Sequence, residues 1–428
     1  MKCESPVRPT DRLVTKGDLN LNSGFEAQGP VYADYATIGG NLSLTQGQFE
    51  GAPGAAAITM KGAVISGDVL LNQGVLEPGV KILAPFTAHG EVDMSNSRVS
   101  GNLLCDGGIF EHSKKKEIDQ PDDQSFLYSL MAGNLYTKGG VSLGNGFKSD
   151  GVVFFGRAHV ETEFTGVGAT FLWPSGVKRS AITKAVEIAA APSLVEASQI
   201  TVGRGVLFRD CNFDGVVKLI QADIHGDVGL VGSEFTGSAA RGPDAAGAQI
   251  SGTLDWYPKY SAPALGHTVL RLTDTKAAGL RDIGATWPSD GYLIVSGFTY
   301  STVRSDRGAP ADRLEWLSRQ PAQFRYEPQP FTQLAKVYRE RGLEDDSITV
   351  LVARERARWR ANPSVPPTQP DGGVRRVFRR VLNTLQYSLY PLWSAVLDAT
   401  IGYGHRPSRA VWWLLLLIFV GWQTFARS

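Results

Sequence analysis

Apolar and polar residues alternate along most of the first 300 residues of the chain. The clearest stretch covers residues 215–237, where two eleven-residue units follow one another. Each unit begins with Gly, places apolar residues at every second position, and has a small residue before a final Ile or Phe. Because successive side chains of a strand point to opposite sides, this alternation predicts strands with one buried face. A single unit cannot bury that face alone, whereas stacked copies can.

Further copies of the unit begin at Gly17, Gly40, Gly67, Gly90 and Gly101. Two units make a turn of about 22 residues, and both halves alternate with the period of a strand. The register breaks at residues 111–125, which are polar, and at residues 177–198, which are rich in Ala. The predicted fold class is therefore mainly β, with a right-handed parallel β-helix, or solenoid, of eleven-residue half-coils over residues 14–300.

The hydrophobic period changes to that of a helix after residue 311. Phe331, Leu334, Val337 and Tyr338 form one apolar stripe, and acidic residues begin the next helix. This pattern predicts an α-helical hairpin over residues 311–361. Residues 362–373 are rich in Pro and predict a stiff linker.

Residues 374–428 have the features of a membrane segment. Residues 410–426 carry no charge, so we expect them to form a C-terminal transmembrane helix. The residues expected to contact the membrane are Arg375, Arg376, Arg379, Arg380, Trp412, Trp413 and Trp422. The excess of positive charge before the helix predicts a single-pass protein of the cytoplasmic membrane, with its N-terminal domain in the cytoplasm. A buried core helix and a solvated arginine face are the alternatives.

The overall charge is nearly balanced, with 43 Lys and Arg against 42 Asp and Glu, which gives no reason to expect nucleic acid as a partner. The three cysteines, Cys3, Cys105 and Cys211, are too scattered for a disulfide framework or a zinc cluster. We expect Cys105 and Cys211 to point into the core. No motif for a metal or a cofactor is found, so none is expected.

Two groups of residues are candidates for chemistry. The first is a set of polar residues within two turns, which carboxylate-based cleavage of carbohydrate would need on one face: Asp210, Asp214, Asp223, Asp227 and His225. Asp also favours corners for structural reasons, so the alternative is a purely structural role. The second is the segment Thr400, Ile401, Gly402, Tyr403 and Gly404, which matches a potassium-channel filter, with a plain turn as the alternative.

Three segments resemble a bacterial family of membrane-associated proteins, some of which are labelled membrane-associated oxidoreductase. They are residues 329–342 (QPFTQLAKVYRERG), 350–356 (VLVARER) and 402–407 (GYGHRP). The alternating units over residues 14–300 also resemble bactofilin-type and pentapeptide-like coils. The resemblance implies a membrane-bound protein that continues beyond Ser428 into a further hydrophobic stretch. No dinucleotide fingerprint, redox cysteine pair or haem motif supports the oxidoreductase label.

Three functions follow from these features. The first is a membrane-anchored, cytosolic, non-enzymatic scaffold that binds a protein partner or a second copy of itself. The second is a membrane-associated enzyme, which processes polysaccharide or is an oxidoreductase as the family label says. The third is a regulatory domain on a channel-like pore.

Overall fold

The structure, a computed structural model, describes residues 2–3, 12–74, 84–113, 127–177, 188, 191, 193–236, 241–259, 268–324, 326–361 and 408–426. The chain divides into two compact units, Met1–Asp306 and Arg307–Ser428. The first unit is built of strands and the second of helices. The finer boundaries predicted from the sequence stay predictions, and the linker at 362–373 lies outside the described residues.

The strands of the first unit form three sheets, and every strand pair in the described residues is parallel. Sheet A has nine strands: β1 (Lys2–Cys3), β4 (Glu26–Ala27), β8 (Gln48–Glu50), β12 (Thr87–His89), β16 (Ile109–Glu111), β20 (Lys148–Asp150), β24 (Thr170–Leu172), β28 (Asn212–Phe213) and β32 (Glu234–Phe235). Sheet B has ten strands: β5 (Val31–Tyr32), β9 (Ile58–Thr59), β13 (Val92–Asp93), β17 (Tyr128–Met131), β21 (Val152–Phe154), β25 (Ser193–Glu196), β29 (Val216–Lys218), β33 (Gly242–Asp244), β35 (Leu270–Arg271) and β37 (Leu293–Ile294).

Sheet C has nineteen strands, because most turns of the chain pass through it twice. Its members are β2 (Val14–Thr15), β3 (Leu19–Asn20), β6 (Thr37–Ile38), β7 (Leu42–Ser43), β10 (Val64–Ile65), β11 (Val69–Leu70), β14 (Arg98–Val99), β15 (Leu103–Leu104), β18 (Tyr136–Thr137), β19 (Val141–Ser142), β22 (His159–Val160), β23 (Phe164–Val167), β26 (Thr201–Val202), β27 (Val206–Arg209), β30 (Asp223–Ile224), β31 (Val228–Val231), β34 (Gln249–Trp256), β36 (Lys276–Asp282) and β38 (Thr299–Ser305).

Each strand pairs with the strand that occupies the same place one turn later. In sheet B, for example, Val92 lies opposite Ile58 on one side and opposite Leu130 on the other. All three side chains are 1% exposed or less. The three sheets of parallel strands therefore enclose one apolar core in a nearly closed, barrel-like arrangement.

The predicted mainly β class with parallel strands agrees with the structure, but the predicted right-handed β-helix, or solenoid, of eleven-residue half-coils with a C-terminal transmembrane helix is wrong. The eleven-residue unit is not half of a two-sided turn, because it spans a corner between sheets. Leu42 at its start lies in sheet C, and Phe49 at its end lies in sheet A. The turn length also varies, since hydrogen-bonded residues in equivalent positions are 22 residues apart at Gln199 and Gln221 and 42 apart at Arg157 and Gln199. The alternation of apolar and polar residues continues across a bend in the chain. Its period alone therefore does not show how many sheets each turn passes through.

An aromatic ladder runs through the core beneath sheet A. Neighbouring ring centroids lie between 4.9 and 5.9 Å apart. The members are Phe25, Phe49, Phe86, Phe110, Phe147, Phe171, Phe213, Phe235 and Trp256. The Trp256 Nε1 donates a hydrogen bond of 2.8 Å to the Thr286 carbonyl oxygen, so the polar edge of this last ring is satisfied.

A second ladder, of Asp and Asn side chains, holds the bend within sheet C. The backbone N–H of Asn41 donates to Asp18 Oδ1 at 2.7 Å, that of Asp68 to Asn41 Oδ1 at 2.8 Å, and that of Asn102 to Asp68 Oδ1 at 2.6 Å. A Cβ on the preceding residue, such as Gly67 or Gly101, would collide with the carboxamide or carboxylate oxygen of the turn before. The close approach of successive turns therefore requires Gly at the start of the units that begin at Gly40, Gly67 and Gly101.

The second unit contains four α-helices in the described residues. They are α1 (Pro310–Ser318), α2 (Pro328–Glu340), α3 (Glu344–Ala361) and α4 (Ser408–Phe425). The short 3₁₀ helices Gly284–Thr286 and Ala322–Phe324 lie in the first and second unit. In α2 the apolar stripe is buried, and the Tyr338 hydroxyl donates to the Gly308 carbonyl oxygen at 2.7 Å.

The predicted transmembrane helix is wrong as well. Among the described residues, no helix has both the length and the apolar character that crossing a bilayer requires. The apolar part of α4 ends before Gln423 and Thr424, and a helix from Ala410 to Trp422 is only about 20 Å long against a hydrocarbon core of about 30 Å. The predicted membrane partner and the predicted single-pass location in the cytoplasmic membrane, with the N-terminal domain in the cytoplasm, lose their basis with this helix.

Replacement of Phe110 by Ala tests the aromatic ladder. Phe110 is fully buried, between Phe86 at 5.0 Å and Phe147 at 5.2 Å. We expect Phe110→Ala to lower the free energy of unfolding by about 3–5 kcal/mol in urea denaturation, because it removes ring contacts and leaves a cavity. The control Val64→Ala, at a side chain that is 42% exposed, should change it by less than about 1 kcal/mol. Equal effects of the two variants would contradict the ladder's role.

Candidate functional site

The five residues predicted to form a catalytic face are distributed around the turn. Asp223 and His225 are exposed on the outer side of sheet C, where Asp223 Oδ2 lies 3.4 Å from His225 Nε2. Asp227 is at the bend within sheet C, and its Oδ1 accepts a hydrogen bond of 2.7 Å from the Thr253 N–H. Asp210 and Asp214 lie on either side of strand β28 in sheet A. The structure therefore brings together only Asp223 and His225.

Several other predicted residues can be placed. The buried thiols of Cys105 and Cys211 face the core, and burial raises the pKa of Cys211 to about 11. Trp412 and Trp422 on α4 are 74% and 66% exposed, and Trp413 is 44% exposed. The predicted contacts at Arg375, Arg376, Arg379 and Arg380 and the filter-like segment from Thr400 to Gly404 (Thr400, Ile401, Gly402, Tyr403, Gly404) lie outside the described residues.

An exposed row of side chains crosses four neighbouring strands of sheet C. Val64, Arg98, Tyr136 and His159 follow one another in register, and we call them the sheet C row. The Arg98 guanidinium lies 5.7 Å from the centre of the Tyr136 ring, which stacks on the His159 ring at 5.3 Å with an interplanar angle of 12°. The Tyr136 hydroxyl donates to Glu161, and this hydrogen bond raises the pKa of Tyr136. The row is thus a preformed surface of apolar, aromatic and cationic groups.

Sheet A carries an imidazole between two carboxylates. Glu50, His89 and Glu111 are paired in register, with His89 Nδ1 2.8 Å from Glu111 Oε2 and His89 Nε2 3.6 Å from Glu50 Oε1. In the part of the chain that the structure describes, no group of three or more His, Cys, Asp or Glu residues has the arrangement to hold a metal ion. The triplet therefore supplies polar contacts between successive turns.

Sheet B carries a cluster of carboxyl groups on its outer side. Asp93 Oδ2 lies 3.1 Å from Lys61 Nζ, and Asp93 Oδ1 accepts hydrogen bonds from the N–H and the hydroxyl of Ser95 at 2.9 and 2.6 Å. The Asp34 Oδ1 accepts from the Lys61 N–H at 2.8 Å. Asp93 is 6% exposed, so its charge lies in a part of the surface from which water is largely excluded.

Glu91 lies beside this ion pair, and its carboxyl group has a shifted pKa. Burial, and secondarily the charge of Asp93, raise the pKa of Glu91 to about 7, although the charge of Lys61 opposes the shift. Burial penalises the charged form of a carboxyl group, and a neighbouring negative charge does the same. A carboxyl group that changes its charge near neutral pH thus lies beside one that is held in an ion pair.

Sequence reasoning missed the groups on sheets A and B. The alternation showed that Glu91 and Asp93 were on an outward face, as polar residues must be, but Glu91 does not look different from any other surface Glu. Its neighbours Lys61 and Tyr128 come from other turns, and the 34- and 38-residue turn lengths that align them were not visible.

No protein-family model, curated protein or solved structure matches the chain. The resemblance to bacterial membrane-associated proteins accordingly stays a prediction.

The raised pKa of Glu91 predicts how the stability of the protein depends on pH. A carboxyl group whose pKa is higher in the folded than in the unfolded chain costs stability as pH rises from its unfolded value of 4.5 to about 7. Relative to the wild type, Glu91→Gln should therefore gain stability between about pH 5 and about pH 8, by on the order of 1–3 kcal/mol in urea denaturation.

The matched control is Glu50→Gln, at a carboxylate that is 57% exposed on sheet A. It removes the same charge and should not reproduce the gain. A Glu91→Gln variant whose stability relative to the wild type does not change with pH would show that Glu91 titrates as an ordinary surface Glu.

Proposed function

We propose that the chain is a non-enzymatic interaction scaffold, which presents the outer faces of its sheets to protein partners. The observation that carries this proposal is the sheet C row, since Val64, Arg98, Tyr136 and His159 form one exposed surface on four consecutive turns. Tyr and Arg are the residue types that most often dominate binding energy at protein interfaces. Here they are adjacent, and their mutual contacts fix their orientation.

The construction of the first unit supports the same function. Its turns are tied to one another by parallel strand pairs, by the aromatic ladder and by the Asp and Asn side chains at the bend. A surface held in this way loses little conformational freedom when a partner binds, so more of the contact energy appears as affinity.

Asp227, one of the five residues that suggested an enzyme, contributes to the fold in the same way as Asp68. Asp68 and Asp227 accept backbone N–H groups from the following turn at 2.6 and 2.7 Å. Asp side chains used in this manner orient the corner of the chain, which supports a scaffold in preference to the carbohydrate-cleaving alternative.

Substitution within the sheet C row tests the proposal. The full chain is immobilised, exposed to lysate of cells that express it, and the bound proteins are quantified by mass spectrometry. At least one protein should bind wild type saturably, and Arg98→Glu should reduce its recovery about tenfold or more, because it reverses a charge in the centre of the surface. The partner is then purified and its dissociation constant measured with both forms.

The control is Lys148→Glu, which makes the same reversal of charge at an exposed position on sheet A. It should leave the recovery unchanged. The proposal fails if no protein binds saturably, if Arg98→Glu and Lys148→Glu behave alike, or if the captured protein is chemically converted by the chain.

A further inference from the structure

A second surface lies on sheet B, apart from the sheet C row. Its outer positions run in register across five neighbouring strands, in the order Thr59, Asp93, Met131, Phe154 and Glu196. Since neighbouring strands are about 4.8 Å apart, two apolar side chains fill the space of about 14 Å between two carboxylates. The surface thus has an apolar centre with a carboxylate on either side, and Lys218 follows Glu196 on the next strand.

Tyr128 and Glu91 lie beside this row of residues and widen the surface. The Tyr128 ring packs edge-on against Phe154, with centroids 5.7 Å apart and an interplanar angle of 83°. Burial raises the pKa of Tyr128, and the charges of Glu196 and Glu91 raise it further. Tyr128 therefore stands between the two carboxyl groups, beside Phe154.

This surface carries more negative than positive charge. Asp34, Glu91, Asp93 and Glu196 form what we call the carboxylate patch. Lys61 is paired with Asp93, and Lys218 lies opposite Glu196 in the register of strands β25 and β29. Glu196 accepts hydrogen bonds from Ser193 and Ser198, which hold it in place without adding positive charge. Four carboxyl groups thus lie near two ammonium groups, Lys61 and Lys218, so negative charge is in excess and the patch can attract a further cation.

A buried hydroxyl group on the same surface lacks a partner. Thr59 is 8% exposed, and its Oγ1 makes no hydrogen bond within the described residues. Thr59 lies directly opposite Asp93 in the register of strands β9 and β13, so both side chains leave the same face of the sheet. An unsatisfied buried hydroxyl costs about 1–3 kcal/mol, which a ligand's polar group at this place would recover.

We propose that the carboxylate patch, with Tyr128, Met131 and Phe154, is a docking site for a lysine or arginine side chain of a partner protein. The inference rests on the proposed scaffold function for the nature of the partner. The aliphatic stem of such a side chain matches the apolar centre. Its cationic end is attracted by the carboxylates and by the face of an aromatic ring.

Glu91 makes this docking depend on pH. The groups that face it are Asp93 on its own strand, Lys61 and Asp34 from the preceding turns, and Tyr128 from the following turn. Below neutral pH Glu91 is largely protonated and contributes no charge. Above it, the charged Glu91 adds its attraction, so the docking of a cation becomes tighter as pH rises.

The test uses the full chain and a fluorescent peptide of alternating Gly and Lys, with its ends blocked, in fluorescence anisotropy at low ionic strength. Wild type should bind the peptide about fivefold or more tightly at about pH 8 than at about pH 6. Glu91→Gln should bind like the wild type at the lower pH and about fivefold more weakly at the higher one. The Glu50→Gln control should bind like the wild type at both.

The proposal is overturned if the peptide with acetylated lysines binds equally well, since acetylation removes the charge. It is also overturned if Glu91→Gln and Glu50→Gln do not differ, or if a neutral glucose hexasaccharide displaces the peptide. Far-UV circular dichroism of each variant establishes that it is folded. Failure of the peptide to bind, with a partner still captured through Arg98, would reject this site and leave the scaffold function standing.

Discussion

Hydrogen bonding between successive turns is the interaction on which the first unit depends. Strands of two to four residues cannot be stable alone, and here most of them have two or three residues. Each gains its partners only from the turn before and the turn after, so the parallel register of one turn fixes that of the next. Side chains in equivalent positions of successive turns then lie against one another. This produces the aromatic ladder inside and the rows of charged and aromatic groups outside.

This stacking explains why the surface of the protein is ordered in rows. A residue on the outer side of one strand has its neighbours in equivalent positions one turn away, about 4.8 Å distant. Like charges in one row repel, and the sequence avoids this by placing a different residue type between them, as His89 lies between Glu50 and Glu111. Where alternation is incomplete, as around Glu91 and Asp93, the charges remain unbalanced, and a surface able to attract a partner results.

The two surfaces that we propose for binding differ in their chemistry. The sheet C row offers a cation and an aromatic ring that are exposed and hold each other in place. The carboxylate patch offers negative charge around a half-buried apolar centre, and its charge changes near neutral pH because Glu91 is partly desolvated. A rigid body with two such surfaces is suited to hold separate partners at a fixed distance, which is what distinguishes a scaffold from a simple adhesive surface.

The alternation of apolar and polar residues was enough to predict that strands with a buried face fill the first unit, and that Cys105, Cys211 and the Phe residues at the ends of the units point inward. The apolar stripe of Phe331, Leu334, Val337 and Tyr338 was predictable in the same way, because it depends only on neighbouring turns of one helix. The number of sheets, the variable turn length, the extent of α4 and the neighbours of Glu91 were decided by the tertiary structure alone. Corners and inserted loops change the number of residues in each turn. The pattern of the sequence therefore does not show which residues of successive turns lie side by side.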